Sequence, residues 1–164
     1  MSRHPVDWVD AFTDRPFGGN GCAVVHDAGG VPPETCTAFV RETSLSECTF
    51  VEPSAVADAK VRYFLARGEI PFAGHPTLAT AVSLAARGLI AGDRAVLETG
   101  AGPIPVEIDR SGRAVHVTMV QNAPVFGPEL DAGRVAGVVG LSAEDVLAPP
   151  QIVSTGLPIC VTVV

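Results

Sequence analysis

The chain has no block of lysine or arginine. Its 164 residues carry 11 basic and 18 acidic side chains, a formal charge of -7, whereas a protein that tracks phosphates needs clustered positive charge. Nucleic acid is not the expected partner. Nor is there an apolar run of the roughly 18 to 20 residues that a membrane-spanning helix needs. Asp7 and Asp10 interrupt the N-terminus "MSRHPVDWVDAF" before the apolar core of a signal peptide could form. The expectation is a cytoplasmic protein with no membrane partner. Cys22, Cys36, Cys48 and Cys160 include no Cys-x-x-Cys pair and no histidine at zinc-finger spacing. That argues against a disulfide framework and a structural metal, and leaves buried free thiols as the expectation. Repeats, linkers and low-complexity segments are missing too. What is present is a hydrophobic content of 47%, enough for one domain of ordinary size over residues 1–164.

Strand signals outnumber helix signals. "VDWVDAF" (6–12) and "CAVVHD" (22–27) are apolar and β-branched and flank the turn-rich "TDRPFGGNG", so they read as a hairpin-like pair with a long loop. "PETCTAFVRETS", opened by Pro32 and Pro33 with Glu34 in its first turn, reads as a short amphipathic helix. "ECTFVE" (47–52) and "KVRYFLA" (60–66) return to strand, the second half-buried through Val61, Tyr63 and Leu65. "RAVLETG", "GPIPVEID" and "RAVHVTMV" form a meander by their turn chemistry. Two short helices, "DAGRVAGVVGL" and "SAEDVL", follow, the second with Ser142 and Asp145 spaced as a capping box. The chain ends in two strand-like pieces.

Between them lies "EIPFAGHPTLATAVSLAARG" (69–88). Pro76 suits a first helical turn, Arg87 the negative end of the dipole and Gly88 the position past the end, so the helix is predicted over about 76–87. Its apolar residues cover every side, relieved by Thr77, Thr80 and Ser83, whose hydroxyls can bond back to helix carbonyls. Such a helix must be surrounded. The economical arrangement is α+β, with a strongly curled, mostly antiparallel, barrel-like sheet wrapped around this central helix. Free N–H groups and the positive dipole end make its N-terminus a site for an anion, with His75 at the mouth and Gly74 opening the backbone to a ligand. An ordinary helix start, with His75 bonded to a neighbour, fits this stretch equally.

Four motifs bear on that choice: "VDAFTDRPFGGNGCAVVHDA", "RETSLSECTFVEP", "VRYFLARGEIPFAGHPTLATA" and "STGLP". In order and spacing the chain resembles the phenazine-biosynthesis PhzF-like family, which has the diaminopimelate-epimerase-like fold, most strongly over residues 6–82. The resemblance implies two pseudo-symmetric halves, each a barrel-like sheet around a central helix, with the active site in the cleft between them. It implies Glu47 as general acid/base, His75 as its companion and Asn20 as a cleft residue. Gly19, Ser46, Gly74, Pro76 and Thr77, which flank these three, are expected along the substrate.

The implied reaction is a cofactor-independent isomerisation, as of a dihydro-hydroxyanthranilate. One carboxyl group removes a proton from one carbon and returns it at another. Glu47 needs a raised pKa for this, and Leu45, Cys48 and Phe50 offer apolar neighbours. The helix N-terminus would hold the carboxylate of a small anionic substrate.

Three departures qualify the resemblance. Gly21-Cys22 stands where the family usually has Pro-Leu, and "FLARGE" replaces the usual Phe-Thr-Pro. Relatives with this fold that work as epimerases or racemases use a pair of cysteines, but His75 occupies the place of one, so Cys22 is expected in the core. The family's second half is absent from these 164 residues. A homodimer, or a complex with a separate second-half polypeptide, is therefore expected to complete the site, the third explanation being that these residues are a fragment. A non-catalytic module binding a small anion or a partner, and a cysteine-dependent epimerase, are the alternative functions.

Overall fold

The structure, a computed structural model, describes residues 3–112 and 114–164. These fall into two compact units, the first ending at Val120 and the second covering Gln121–Val164.

In the first unit β1 (Val6–Ala11) pairs antiparallel with β2 (Asn20–Val25), from Val6 opposite Val25 to Ala11 opposite Asn20. The predicted first strand stops one residue early because Phe12 turns into the left-handed region at φ 64. Helix α1 (Pro33–Thr43) then crosses to β3 (Cys48–Glu52), which lies parallel to β2. Strand β4 (Ala59–Leu65) returns antiparallel to β3 and folds over onto the short β5 (Gly68–Ile70). After α2 (Gly74–Ala86), β6 (Arg94–Thr99), β7 (Gly102–Asp109) and β8 (His116–Met119) form the expected antiparallel meander. The third of these predicted strands began at Arg113, which lies outside the described residues. The sheet runs β1-β2-β3-β4-β6-β7-β8, with β5 attached to β4.

The sheet is α2's container. Helix α2 packs against β1 and β2 at one end of the strand order and β7 and β8 at the other. One helix can touch both ends only if the sheet curls around it, so this is a mixed, strongly curled half-barrel. The curl stops short of closure. A cleft of about 520 Å³ separates β1 from the segment leading into β8, floored by Leu78, Ala79 and Val82 of α2. Strand β7 shows why the sequence curls this way: Ile104, Val106 and Ile108 face the core and alternate with outward residues.

Strands β2, β3 and β4 are covered on both faces. Cys22, Val24 and Val61 pack toward α2, whereas Ala23, Val25, Phe50 and Phe64 join Cys36 and Val40 of α1 in a second core. The expectation of a half-buried β4 is corrected here, since Phe64 is buried beneath α1 and not turned to water. A fully buried residue such as Leu97 contributes about 1.5–3 kcal/mol relative to exposure, and Leu97→Ala would cost roughly 2–5 kcal/mol.

The N-terminus of α2 starts two residues before the predicted one. Ala73 is extended at φ -146, and Gly74 and His75 already belong to the helix. Pro76 is tolerated as the third helical residue because N–H groups in the first turn have no helical partner to lose. Gly88 follows at φ 71, as predicted. Thr77 and Thr80 do bond back, to Ala73 and Pro76, but Ser83 turns away to Asp7.

The second unit is a three-stranded antiparallel sheet of β9 (Val125–Glu129), β10 (Ala148–Ser154) and β11 (Pro158–Val163), with β10 central. Strand β9 was not predicted, because "VFGPE" carries glycine and proline and is too exposed to alternate. Helix α3 (Ala132–Val139) is capped by Asp131, whose Oδ1 accepts from the Arg134 N–H at 2.8 Å. The predicted helix at "SAEDVL" is a single 3-10 turn, Ala143–Asp145, closed by the Ser142–Asp145 capping box. Phe126, Val138, Leu147 and Ile159 stand exposed in this unit.

Candidate active site

Two chain segments meet at the mouth of α2. The first descends from α1, which ends where Ser44 adopts a left-handed conformation at φ 56. That cap reverses the chain and brings Leu45, Ser46 and Glu47 to the start of β3. The second is the first turn of α2, reached through the extended Ala73. Between them the Nδ1 of His75 and the Oε2 of Glu47 lie 3.4 Å apart, with side chains 8% and 18% exposed.

Burial acts on the two groups in opposite directions. It raises the Glu47 carboxyl above its ordinary value and lowers the His75 imidazole, which the Gly21 backbone opposes only in part. Low dielectric disfavours whichever form is charged. The pair therefore combines a neutral imidazole with a carboxyl that can hold or release a proton closer to neutral pH. The other imidazole nitrogen, Nε2, is buried and has no hydrogen-bond partner among the described residues. Helix α2 has no side-chain cap, since Ala73 has nothing to offer its first N–H groups. A ligand acceptor would satisfy the helix N–H groups, and a ligand donor would satisfy Nε2, which is the accepting nitrogen when Nδ1–H points to the Glu47 carboxylate.

The remaining expected site residues divide by exposure. Asn20 opens β2 and is exposed, opposite Ala11. Gly19 precedes it in a loop that doubles back over β1, where a side chain would collide with the Ala11 carbonyl and approach the Thr13 methyl to 2.7 Å. Asp10 steadies that loop by accepting the Phe17 N–H at 2.8 Å. Ser46 is exposed beside Glu47, Gly74 is half-buried and Pro76 is buried. Thr77 is corrected. Its side chain is fully buried and its hydroxyl is engaged with Ala73 and Tyr63, so it does not reach the surface at the α2 mouth.

Cys22 lies in the core as expected. Burial pushes its thiol up to about 12, with Cys48 and Glu47 adding to the rise. A thiol held protonated and out of solvent is a poor acid/base partner. Among the described residues no group of three or more His, Cys, Asp or Glu side chains is placed to hold a metal ion.

Sequence reasoning missed a second polar cluster at the other end of α2. Asp7 accepts from Ser83 Oγ at 2.6 Å and from the Arg87 guanidinium at 2.6 Å twice, while His26 Nε2 stands 2.8 Å from Ser83 Oγ and 3.2 Å from Asp7. Serine and aspartate share the same imidazole nitrogen, so the aspartate does not orient the ring toward the serine as in a nucleophilic triad. The cluster ties β1 and β2 to the C-terminus of α2. No local signal announces it, because its members come from distant segments.

The model of the phenazine biosynthesis-like protein family matches residues 9–164. The trans-2,3-dihydro-3-hydroxyanthranilate isomerase of Pseudomonas aeruginosa is 40% identical over 128 residues, covering 77% of this chain and 45% of that protein. A solved structure of a predicted epimerase from Pseudomonas aeruginosa superposes with a TM-score of 0.82 at 33% identity, covering 98% of this chain and 59% of that one. A PhzF-family phenazine biosynthesis protein from Bacillus anthracis gives 0.77 at 31% identity, covering 96% and 54%. The chain spans about half the length of the curated relatives it matches.

Proposed function

The chain belongs to the phenazine biosynthesis-like protein family, and we propose that it carries the acid/base half of a cofactor-independent isomerase acting on a small carboxylate-bearing substrate. The observation that carries this reading is the Glu47–His75 couple, 3.4 Å apart at the uncapped N-terminus of a buried helix. Trans-2,3-dihydro-3-hydroxyanthranilate, the substrate named for the Pseudomonas relative, is the first compound to test. Its carboxylate is met by the Gly74 and His75 N–H groups and the positive end of α2. Glu47, ionised, removes a proton from a ring carbon, the C–H electron pair enters the ring, and the resulting carboxylic acid returns the proton at a different carbon. Atoms and charge balance with no other reactant. His75 stays neutral, orients Glu47 through Nδ1 and leaves Nε2 for the substrate.

The chain spans about half the length of these relatives, and the opposite wall of the cleft would come from a second copy of this chain, a separate second-half polypeptide, or the remainder of a longer chain of which these residues are a part. The four free thiols favour a reducing compartment, and so the cytoplasm. The deciding experiment pairs the native mass in solution with turnover of that substrate by wild type and Glu47→Gln. Turnover by an assembled species that falls by at least about 100-fold in Glu47→Gln supports the reading. Turnover that survives the substitution removes Glu47 as the base.

The uncapped α2 N-terminus alone also fits a second reading, a non-catalytic module that binds a small anion. Substrate binding without turnover, unchanged by Glu47→Gln, would favour it.

A further inference from the structure

Beneath the α2 mouth lies a pair of hydroxyls for which the acid/base scheme has no use. Tyr63 on β4 and Thr77 on α2 are both fully buried, and Tyr63 belongs to the apolar core around α2, edge-on to Phe72. Their oxygens are 2.7 Å apart, and Thr77 Oγ1 donates to the Ala73 carbonyl at 2.6 Å. A hydroxyl has one hydrogen. With that of Thr77 committed to Ala73, Tyr63 must donate to Thr77, and the bonds run in one direction from Tyr63 through Thr77 to Ala73.

Where this relay ends gives it meaning. The Ala73 carbonyl and the Gly74 N–H belong to the same planar trans peptide, so they point in opposite directions. Holding the carbonyl inward, toward Thr77, turns the Gly74 N–H outward at the open end of α2. His75 follows immediately, and its approach to Glu47 depends on how that first turn is seated. Resting on the reading of the α2 mouth as a carboxylate site, we propose that Tyr63 is a positioning residue that acts through Thr77 to aim the Gly74 N–H and the His75 imidazole at the substrate.

The simpler role for the pair is mutual satisfaction of two buried hydroxyls. The two roles differ in what happens at Gly74 and His75, which neither Tyr63 nor Thr77 needs to touch in order to be satisfied. Tyr63→Phe keeps the ring packing, Thr77→Val keeps the shape, and Thr77→Ser keeps the hydroxyl. In NMR spectra of the full chain, Tyr63→Phe and Thr77→Val should each shift the Gly74 amide. Each should also raise the His75 titration midpoint toward the ordinary imidazole value of about 6.5, because a loosened turn admits water. Thr77→Ser should leave both signals in place, and the double variant should shift them no further than Thr77→Val alone. With a turned-over substrate, kcat/KM should fall about tenfold in Tyr63→Phe.

An unchanged Gly74 amide and His75 midpoint in Tyr63→Phe, with only the thermal midpoint lowered, would overturn the proposal. That variant alone decides if Thr77→Val does not fold. Absence of turnover in wild type would count against the isomerase reading and not the relay, which the two NMR signals test without substrate.

Discussion

The Nδ1 of His75 lies 3.4 Å from the Oε2 of Glu47, and burial moves the two groups' proton affinities toward each other. The consequence for stability has a definite sign. The folded chain holds the Glu47 proton more tightly than the unfolded chain does, so stability falls as pH rises from the ordinary carboxyl value of about 4.3 through the folded value. Above that window the folded state carries an unfavourable buried charge. Glu47→Gln, the variant expected to lose turnover, should therefore be more stable than wild type at pH 8, with the advantage gone near pH 4. Urea denaturation at the two pH values checks this; an unchanged difference would mean that Glu47 is solvated.

At the far end of α2 the expected sign is reversed. Burial, then the Arg87 charge, lowers the His26 imidazole against the pull of Asp7 and Asp27, and Arg87 holds the Asp7 carboxyl well below the usual carboxylate range. The folded chain binds both protons less tightly, so stability falls in two windows. His26 contributes as pH drops below about 6.5, and Asp7 contributes below about 3.9. Ser83→Ala removes a buried hydroxyl bonded to an ionised carboxylate and should cost about 1.5–3 kcal/mol at pH 7 by denaturant unfolding. A cost near zero would show that water replaces Ser83 between Asp7 and His26.

These two clusters show what the sequence could and could not disclose. The helix predicted over about 76–87 was legible because it is apolar on all sides, and a fully apolar helix implies an enclosing sheet whatever the strand order. Glu47 and His75 were legible through the motifs around them, each a local string. The tie from Asp7 to Ser83 and Arg87 has no local string, since β1 and α2 meet only after the sheet has curled. Thr77 was legible only in part for a related reason. Its position in the first turn follows from sequence, but the face it presents depends on where Tyr63 of β4 lies beneath it.

Gly19 should tolerate no side chain. A Cβ there would enter the Ala11 carbonyl, which is backbone at the end of a paired strand and cannot move aside without breaking the β1–β2 register. Gly19→Ala should destabilise the chain by about 1–3 kcal/mol and displace Asn20, which follows it directly. Thermal unfolding together with the Asn20 amide shift checks both parts. A native-like Asn20 signal in a stable variant would show that the loop crosses β1 more loosely than the structure has it.

Thiol chemistry separates the acid/base reading from a cysteine-dependent one. Cys22, Cys36 and Cys48 are buried, Cys160 is exposed, and burial pushes the Cys22 and Cys36 thiols up to about 12 and about 11. Only the thiolate is nucleophilic, so a thiol that is both inaccessible and held protonated does not react. Iodoacetamide added to the folded chain should give a single adduct, at Cys160, with four after unfolding in denaturant, as read by intact mass and peptide mapping. The singly modified protein should retain whatever turnover the untreated protein shows. An adduct at Cys22 in the folded chain, with turnover lost in proportion, would mean that this thiol reaches the site, and Glu47 and His75 would no longer suffice to account for the chemistry.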